Sequence, residues 1–593
     1  MSSLALGTWG LLLASSCIAL GAAACVPDFP DKLLVDPGVL GHPSVVAALE
    51  HVRGNLTAMY ANVTRDGLSF AVVHASSATP VYTFNNGTLK NNETSSDEDE
   101  GNRVTSDSIF RIVSVSKNFA LSSALVVENR FKNLSTTSRS YVITLDTPVR
   151  FLLPDFRLPE KDWDDGGSEI TLRMLASHTA GIPRESYSTG FNMVLSTGKA
   201  NAATIGAEWA RISEQEVLDG LAASNLMFAP GQRAASAVTT QYNNMTSTHL
   251  SWSQLVTQEL LNPLNMTHSF LGAIPQHLVA DIGVPGGDNW ADLVVGDGYA
   301  PAAGMWSSAS DLAKYLHGLW LQPEPSLITR FQRRQVLKPM YVLQDGKQQV
   351  ASGWEIQTLT ISTSTNVSAT NSDKTYSIFG KSGDGGGWHS WMDVIPNLGY
   401  GLVVLSQESG LSNFTTTSPT ELRDTVHAIL APAFSKALAA RMTQRFAGTY
   451  DQAHDTGLTI DQVSTPAPYT PTYAQLEVED QILYLHQLVV NGTSALEAVD
   501  RLSWETDDAG PRLFSTPRGV ALEPAEGAGE TAQFGPGAQV WRMIVPGLET
   551  CDWFDFDGYK DTEGWPLSKF VLVEREGGVD LHYPPFDIVV SRS

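Results

Sequence analysis

The sequence predicts an α+β fold followed by a separate all-β region, and three observations carry that prediction. Residues 109–112 form a β-type segment that leads into the apolar, helix-length run 119–127. A β-prone run at 376–380, a break at Gly385, Gly386 and Gly387, and another apolar run at 401–405 read as neighbouring strands. From about Arg441, helical periodicity gives way to short β-type runs separated by Pro and Gly.

Residues 1–24 read as a signal peptide, because the apolar stretch from Leu4 ends in Ala22, Ala23 and Ala24 before Cys25. A membrane anchor of the same length is the competing reading, since no Lys or Arg precedes the stretch. Residues 25–44 form an N-terminal extension, and a first domain spans 45–435. A short helix is expected at 43–52, then a hairpin at 68–74 and 81–84 that leads to the 109–112 strand. Together these strands build the sheet on which the following helix packs. The polar run 91–107, with Asp97, Glu98, Asp99 and Glu100, reads as a solvated surface insertion. Helical periodicity at 214–223 and 310–319 completes a unit in which helices and an antiparallel sheet coexist. The β-type runs at 476–478, 482–485, 540–545, 570–573 and 588–590 define a C-terminal β domain over 441–593. A chain of 593 residues is long enough for both cores.

A net charge of −25 argues against nucleic acid or an anionic membrane surface as partner, because phosphate binding needs clustered Lys and Arg. Glycosylation sequons begin at Asn55, Asn62, Asn86, Asn92, Asn133, Asn244, Asn265, Asn366, Asn413 and Asn491. Chance would give roughly four in a chain of this composition, so the excess favours a eukaryotic secretory route and an extracellular product. After signal cleavage Cys25 and Cys551 remain, an even count in an oxidising compartment. A disulfide joining them is expected, and two free buried thiols are the alternative.

The chemistry centres on Ser114, Val115, Ser116, Lys117. On a helix that starts at Ser114, residues i and i+3 share a face, so the hydroxyl and the ammonium can touch. A serine hydroxyl is a weak nucleophile until a base takes its proton, and a desolvated lysine can be that base near neutrality. Helix N-terminal amides around Ser114 also favour developing negative charge.

Further landmarks lie at 170–183 (Ile, Thr, Leu, Arg, Met, Leu, Ala, Ser, His, Thr, Ala, Gly, Ile, Pro) and at Lys381, Ser382, Gly383, Asp384. Ala302, Ala303, Gly304, Met305 and Ser310, Asp311, Leu312 complete the set. With the Ser114 motif they resemble the serine β-lactamase and penicillin-binding protein superfamily, in its class C and esterase branch, over roughly residues 45–435. The resemblance implies a β-lactamase/transpeptidase-like antiparallel sheet with flanking helices and acylation of Ser114 with help from Lys117. It also implies that Lys381, in the Lys, Ser or Thr, Gly motif, binds or polarises the substrate. Ser382 and Gly383 would line the substrate, and the amide of Asp384 would join that of Ser114 as an oxyanion hole. An inward-turned Asp384 carboxylate would oppose the charge being stabilised.

The family's second motif, Tyr, any residue, Asn, departs from pattern. In strict register after Pro230, Gly231 its tyrosine position holds Ser236, and Tyr242, Asn243, Asn244 follows six residues later. Tyr242 is the expected second acid and base, with Asn244 beside the substrate. Asn244 also opens a sequon, and the helix expected after the motif is shortened, from a lost wall or from an omitted coding segment. His178 and His389 are read as structural, and with no His, Glu, two residues, His run, no metal is expected.

The expected function is a secreted serine hydrolase acting on a small-molecule ester or amide through an acyl-Ser114 intermediate, with acyl transfer as a variant. No cofactor is needed. Fungal relatives of this shape suggest tailoring of a secondary metabolite. A catalytically impaired relative acting as a binding or scaffold protein is one alternative, and a D-amino acid peptidase is another. The oligomeric state stays open.

Overall fold

The structure, a computed structural model, describes residues 27–63, 65–91, 100–132, 144–156, 169–182, 213–223, 250–286, 294–296, 298–343, 348–362, 373–408, 419–452, 470–500, 506–507, 510–511, 518–525, 532–544 and 559–592. The 1–24 leader, Cys25, Cys551, Ser236, Tyr242 and the sequons at Asn92, Asn133, Asn244, Asn366 and Asn413 lie outside the described residues. The chain divides into two units. One comprises Asp28–Ile361 and Thr375–Arg445; the other comprises Met1–Pro27, Ser362–Lys374 and Phe446–Ser593.

The strands β1 Gly67–His74, β2 Ser77–Asn86, β3 Ile109–Arg111, β4 Phe270–Leu271, β5 Met305–Ser308, β6 Tyr341–Val342, β7 Gln348–Ala351, β8 Trp354–Ser362, β9 Asp373–Gly385, β10 Trp388–Ile395 and β11 Tyr400–Gln407 precede Arg445. Among the described residues, β2-β1-β11-β10-β9-β8-β7-β6 form an eight-stranded sheet. Strands β1 and β11 are buried along their whole length, which is why they read as apolar runs rather than as alternating patterns. The segment at 109–112 does not join this sheet. Both edges of β1 are taken, by β2 and by β11, and β3 pairs with β5 in a small β3-β5-β4 sheet.

Helices cover both faces of the large sheet. The helix expected at 43–52 runs from Pro43 to Tyr60, because buried Val45, Ala48, Val52, Leu56 and Tyr60 continue one apolar stripe. It lies beside the helix Pro419–Phe446, to which Ser44 Oγ donates at the Ala433 carbonyl (2.8 Å). Tyr400 of β11 stacks on Phe434 of that helix (4.5 Å between ring centres). Across the sheet, the helix Ser116–Lys132 packs on the helix Ala309–Tyr315 through stacked Phe119 and Tyr315 (4.1 Å). The 91–107 run is anchored at its far end rather than fully solvated. Buried Asn102 accepts the amide of Leu89 at its carbonyl and that of Lys90 at its side chain, each at 2.7 Å.

The C-terminal strands are β12 Gly448–Asp451, β13 Tyr473–Glu479, β14 Ile482–Val490, β15 Thr493–Ser494, β16 Thr506–Asp507, β17 Gly510–Pro511, β18 Val520–Ala525, β19 Ala538–Ile544, β20 Lys569–Arg575, β21 Gly578–Tyr583 and β22 Ile588–Arg592. Among the described residues, β12, β13, β14, β18, β19, β20, β21 and β22 pair antiparallel in chain order. The β12–β22 ladder closes the ring. Closure turns the expected β-rich region into an eight-stranded up-and-down barrel. One face of its ladders carries the buried side chains of Tyr450, Leu522, Trp541, Phe570 and Leu581, and Phe570 stacks on Tyr583 (4.7 Å). A barrel of this strand number is filled by such side chains.

Behind β9 and β10 sits a buried ion pair. Arg423 of the Pro419–Phe446 helix donates two hydrogen bonds to Asp393 of β10 (2.6 and 2.9 Å). His427 Nε2 and Trp391 Nε1 also meet this carboxylate, at 3.1 and 2.6 Å. Burial pushes the Asp393 carboxyl up, but the Arg423 charge and the His427 hydrogen bond outweigh it and hold it below the ordinary aspartate value. Stability from this group is therefore present above the unfolded aspartate pKa and lost as pH falls through the folded one. Asp393→Ala leaves the Arg423 charge without its buried carboxylate and is expected to cost about 3–5 kcal/mol in urea unfolding at pH 7, with a smaller penalty under acid conditions.

Candidate active site

At the end of β3 the chain passes through the 3-10 turn Val113–Val115 before the α-helix begins at Ser116. The expected helix start at Ser114 is thus two residues early. The residue just before Ser114, Val113, has φ of 45°, which puts a β-branched side chain in the left-handed region. Such a conformation costs about 1–3 kcal/mol and persists only where its surroundings enforce it. Here the Ile112 amide donates to the Met305 carbonyl (3.0 Å), and the Ile112 carbonyl accepts from Ser390 Oγ (2.8 Å).

The tight turn keeps residues i and i+3 stacked on one side. Lys117 Nζ donates to Ser114 Oγ at 2.7 Å and to the Ala302 carbonyl at 2.9 Å. Both side chains are half-buried. The landmark at Ala302 to Met305 therefore acts through its backbone, for the Met305 amide also donates to Ser116 Oγ (3.1 Å).

Strand β9 brings the second group of site residues to this turn. A Cβ placed on Gly383 would fall 2.4 Å from the Ile112 carbonyl and 2.8 Å from the Ser114 amide nitrogen. Only glycine permits that approach. One residue on, the Asp384 side chain is exposed and paired with His389 Nδ1 (2.8 Å), so its carboxylate turns away from the face that meets Ser114. His389 Nε2 meets Glu408 (2.8 Å), and these two carboxylates raise the His389 pKa against the opposing effect of burial.

Lys381 is buried and ion-paired with Glu355 of β8, and it also donates to the Ser382 carbonyl (3.0 Å). Ser382 Oγ donates to the other oxygen of the same carboxylate (3.1 Å). Glu355 escapes sequence reasoning, since a lone acidic residue in a strand carries no motif. His178, with φ of 58°, lies just past the helix Leu172–Ala176, whose last carbonyl accepts the Gly353 amide (2.7 Å). The structure thus joins Ser114, Lys117, Gly383 and Asp384 around one turn, with Lys381 and Ser382 on the same strand. No cluster of His, Cys, Asp and Glu able to hold a metal occurs among the described residues.

A model of the β-lactamase family matches residues 52–425. Several solved structures are similar. The octameric penicillin-binding protein homologue from Pyrococcus abyssi is 15% identical, with a TM-score of 0.43 over 92% of this chain and 100% of that one. The D-alanine carboxypeptidase from Burkholderia cenocepacia is 17% identical, with a TM-score of 0.42 over 65% of this chain and 98% of its own. The β-lactamase/D-alanine carboxypeptidase from Yersinia pestis, complexed with citrate, is 16% identical, with a TM-score of 0.45 over 65% and 99%. No curated protein sequence matches the chain.

A side chain at position 383 must push β9 off the Ser114 turn. Gly383→Val is expected to slow labelling of the purified protein by a fluorophosphonate about 100-fold, the scale on which a displacement near 1 Å acts. Circular dichroism should show the secondary structure retained.

Proposed function

The chain belongs to the β-lactamase family of serine hydrolases, and from that premise we propose that it cleaves a small-molecule ester or amide by way of an acyl-Ser114 intermediate. The observation that carries this reading is the 2.7 Å contact between Lys117 Nζ and Ser114 Oγ, at a turn against which Gly383 presses its strand.

In its neutral form Lys117 takes the Ser114 proton as Oγ bonds to the substrate carbonyl carbon. The carbonyl electron pair moves onto oxygen, facing the amides of Ser114 and Asp384. Collapse of that intermediate breaks the bond to the alcohol or amine, which leaves with the proton carried by Lys117. Water, losing its proton to the same base, then releases the acyl group as a carboxylic acid and restores Ser114. Tyr242 is the proposed second proton carrier and Asn244 its neighbour at the substrate. Lys381, fixed by Glu355, is proposed to orient the substrate from β9. The esterase-branch resemblance favours an ester over a β-lactam, in the tailoring of a secondary metabolite.

Secretion is part of the proposal and rests on the sequon excess. Asn62, Asn265 and Asn491 are exposed, as glycan attachment requires, whereas Asn86 donates its side-chain amide to the Val63 carbonyl (2.7 Å). A Cys25–Cys551 disulfide is proposed for the mature protein.

Two measurements test these readings. Fluorophosphonate should label the wild-type protein on Ser114, with no label on Ser114→Ala and a rate roughly 10²–10⁴-fold lower on Lys117→Met. Labelling that survives Ser114→Ala would overturn the assignment, and absence of any label or of p-nitrophenyl ester turnover would favour the binding-protein alternative. For protein from a eukaryotic secretory host, peptide mass spectrometry after glycosidase treatment should show Asn62, Asn265 and Asn491 converted to Asp, and Asn86 unchanged.

A further inference from the structure

Three side chains on adjacent strands meet at the end of the sheet nearest the site. Asp384 of β9 and His389 of β10 are direct cross-strand partners, and Glu408 follows the last residue of β11. His389 bridges the two carboxylates, one on each ring nitrogen, both at 2.8 Å. The Asp384 and Glu408 side chains are 69% and 42% exposed, while that of His389 is only 23% exposed. The backbone of residues 283–286 packs here as well, its Gly286 amide donating to the Glu408 carbonyl (2.9 Å), but those residues carry no charge.

The bridge lies on the opposite face of β9 from Ser114, directly behind the residue whose amide is proposed to hold the oxyanion. Covalent geometry keeps a carboxylate within about 4 Å of its own amide nitrogen. An uncompensated charge at Asp384 therefore opposes the oxyanion at close range, and water on its exposed side weakens that opposition without removing it.

We propose that His389 is a positioning residue for the acylation step, its imidazolium neutralising Asp384 so that the Asp384 amide can stabilise the developing oxyanion. This inference rests on the acyl-Ser114 reading. The two carboxylates keep the ring protonated further up the pH scale than a free histidine. Below that raised pKa the single positive charge offsets one of the two carboxylates, and this compensation is lost as pH rises through it. Acylation then falls on the alkaline side for a reason separate from Lys117, whose deprotonation raises the rate.

The test is the second-order rate of fluorophosphonate labelling at Ser114 as a function of pH. His389→Gln should lower the rate about tenfold at pH 7 and remove the alkaline fall. Adding Asp384→Asn to His389→Gln should recover most of that loss, which a purely structural defect would not do. Glu408→Gln, at a partly exposed position, should move the alkaline fall down by about one pH unit. An unchanged rate and pH profile in His389→Gln, or a loss that Asp384→Asn does not relieve, overturns the inference while wild-type labelling leaves the nucleophile in place. If His389→Gln does not fold, an unmoved profile in Glu408→Gln overturns it. Absence of wild-type labelling removes the nucleophile reading and this inference with it.

Discussion

A missing side chain sets the geometry of the site. With hydrogen alone at Gly383, β9 lies against the Ile112 carbonyl and the Ser114 amide, closer than any Cβ could come. The same contact confines the turn that holds Val113 in a left-handed conformation. Val113 opens the tighter turn in which Ser114 sits, stacked over Lys117, before the α-helix begins at Ser116. One glycine thus links a strand, a turn and a side-chain pair.

Charge on either side of β9 is balanced locally. Lys381 is neutralised by Glu355, and Asp393, one strand away on the other face, by Arg423. Removing such groups from water costs several kcal/mol per ion, so each is paired or hydrogen-bonded more than once. The second pair also ties the Pro419–Phe446 helix to the strands that carry the site. That strand is held from both faces.

Long-period features were the legible ones. The Ser114–Lys117 pair, the Lys381 to Gly383 strand and the change of character near Arg441 all follow from spacing and composition, and the fold class and family stand as read. Sheet membership was not legible for residues 109–112, because their partner β5 lies nearly 200 residues on and pairing over that separation leaves no local pattern. Backbone acceptors such as the Ala302 carbonyl leave no mark in side-chain patterns. Glu355 and the His389 bridge are cross-strand neighbours separated in sequence, so periodicity along one strand cannot announce them. The helix from Pro43 outran its expected end because a single stripe of buried residues, not a stop signal, set its length.

Barrel closure in the C-terminal unit joins its first strand to its last, Tyr450 opposite Arg592. Neighbouring hairpins can form as the chain emerges during synthesis, yet the seam with β12 waits until β22 is made. Without β22, β12 and β21 would each present a bare row of amides and carbonyls, ready to pair with another copy. Loss of this one strand is thus converted into clumping rather than into a slightly smaller barrel.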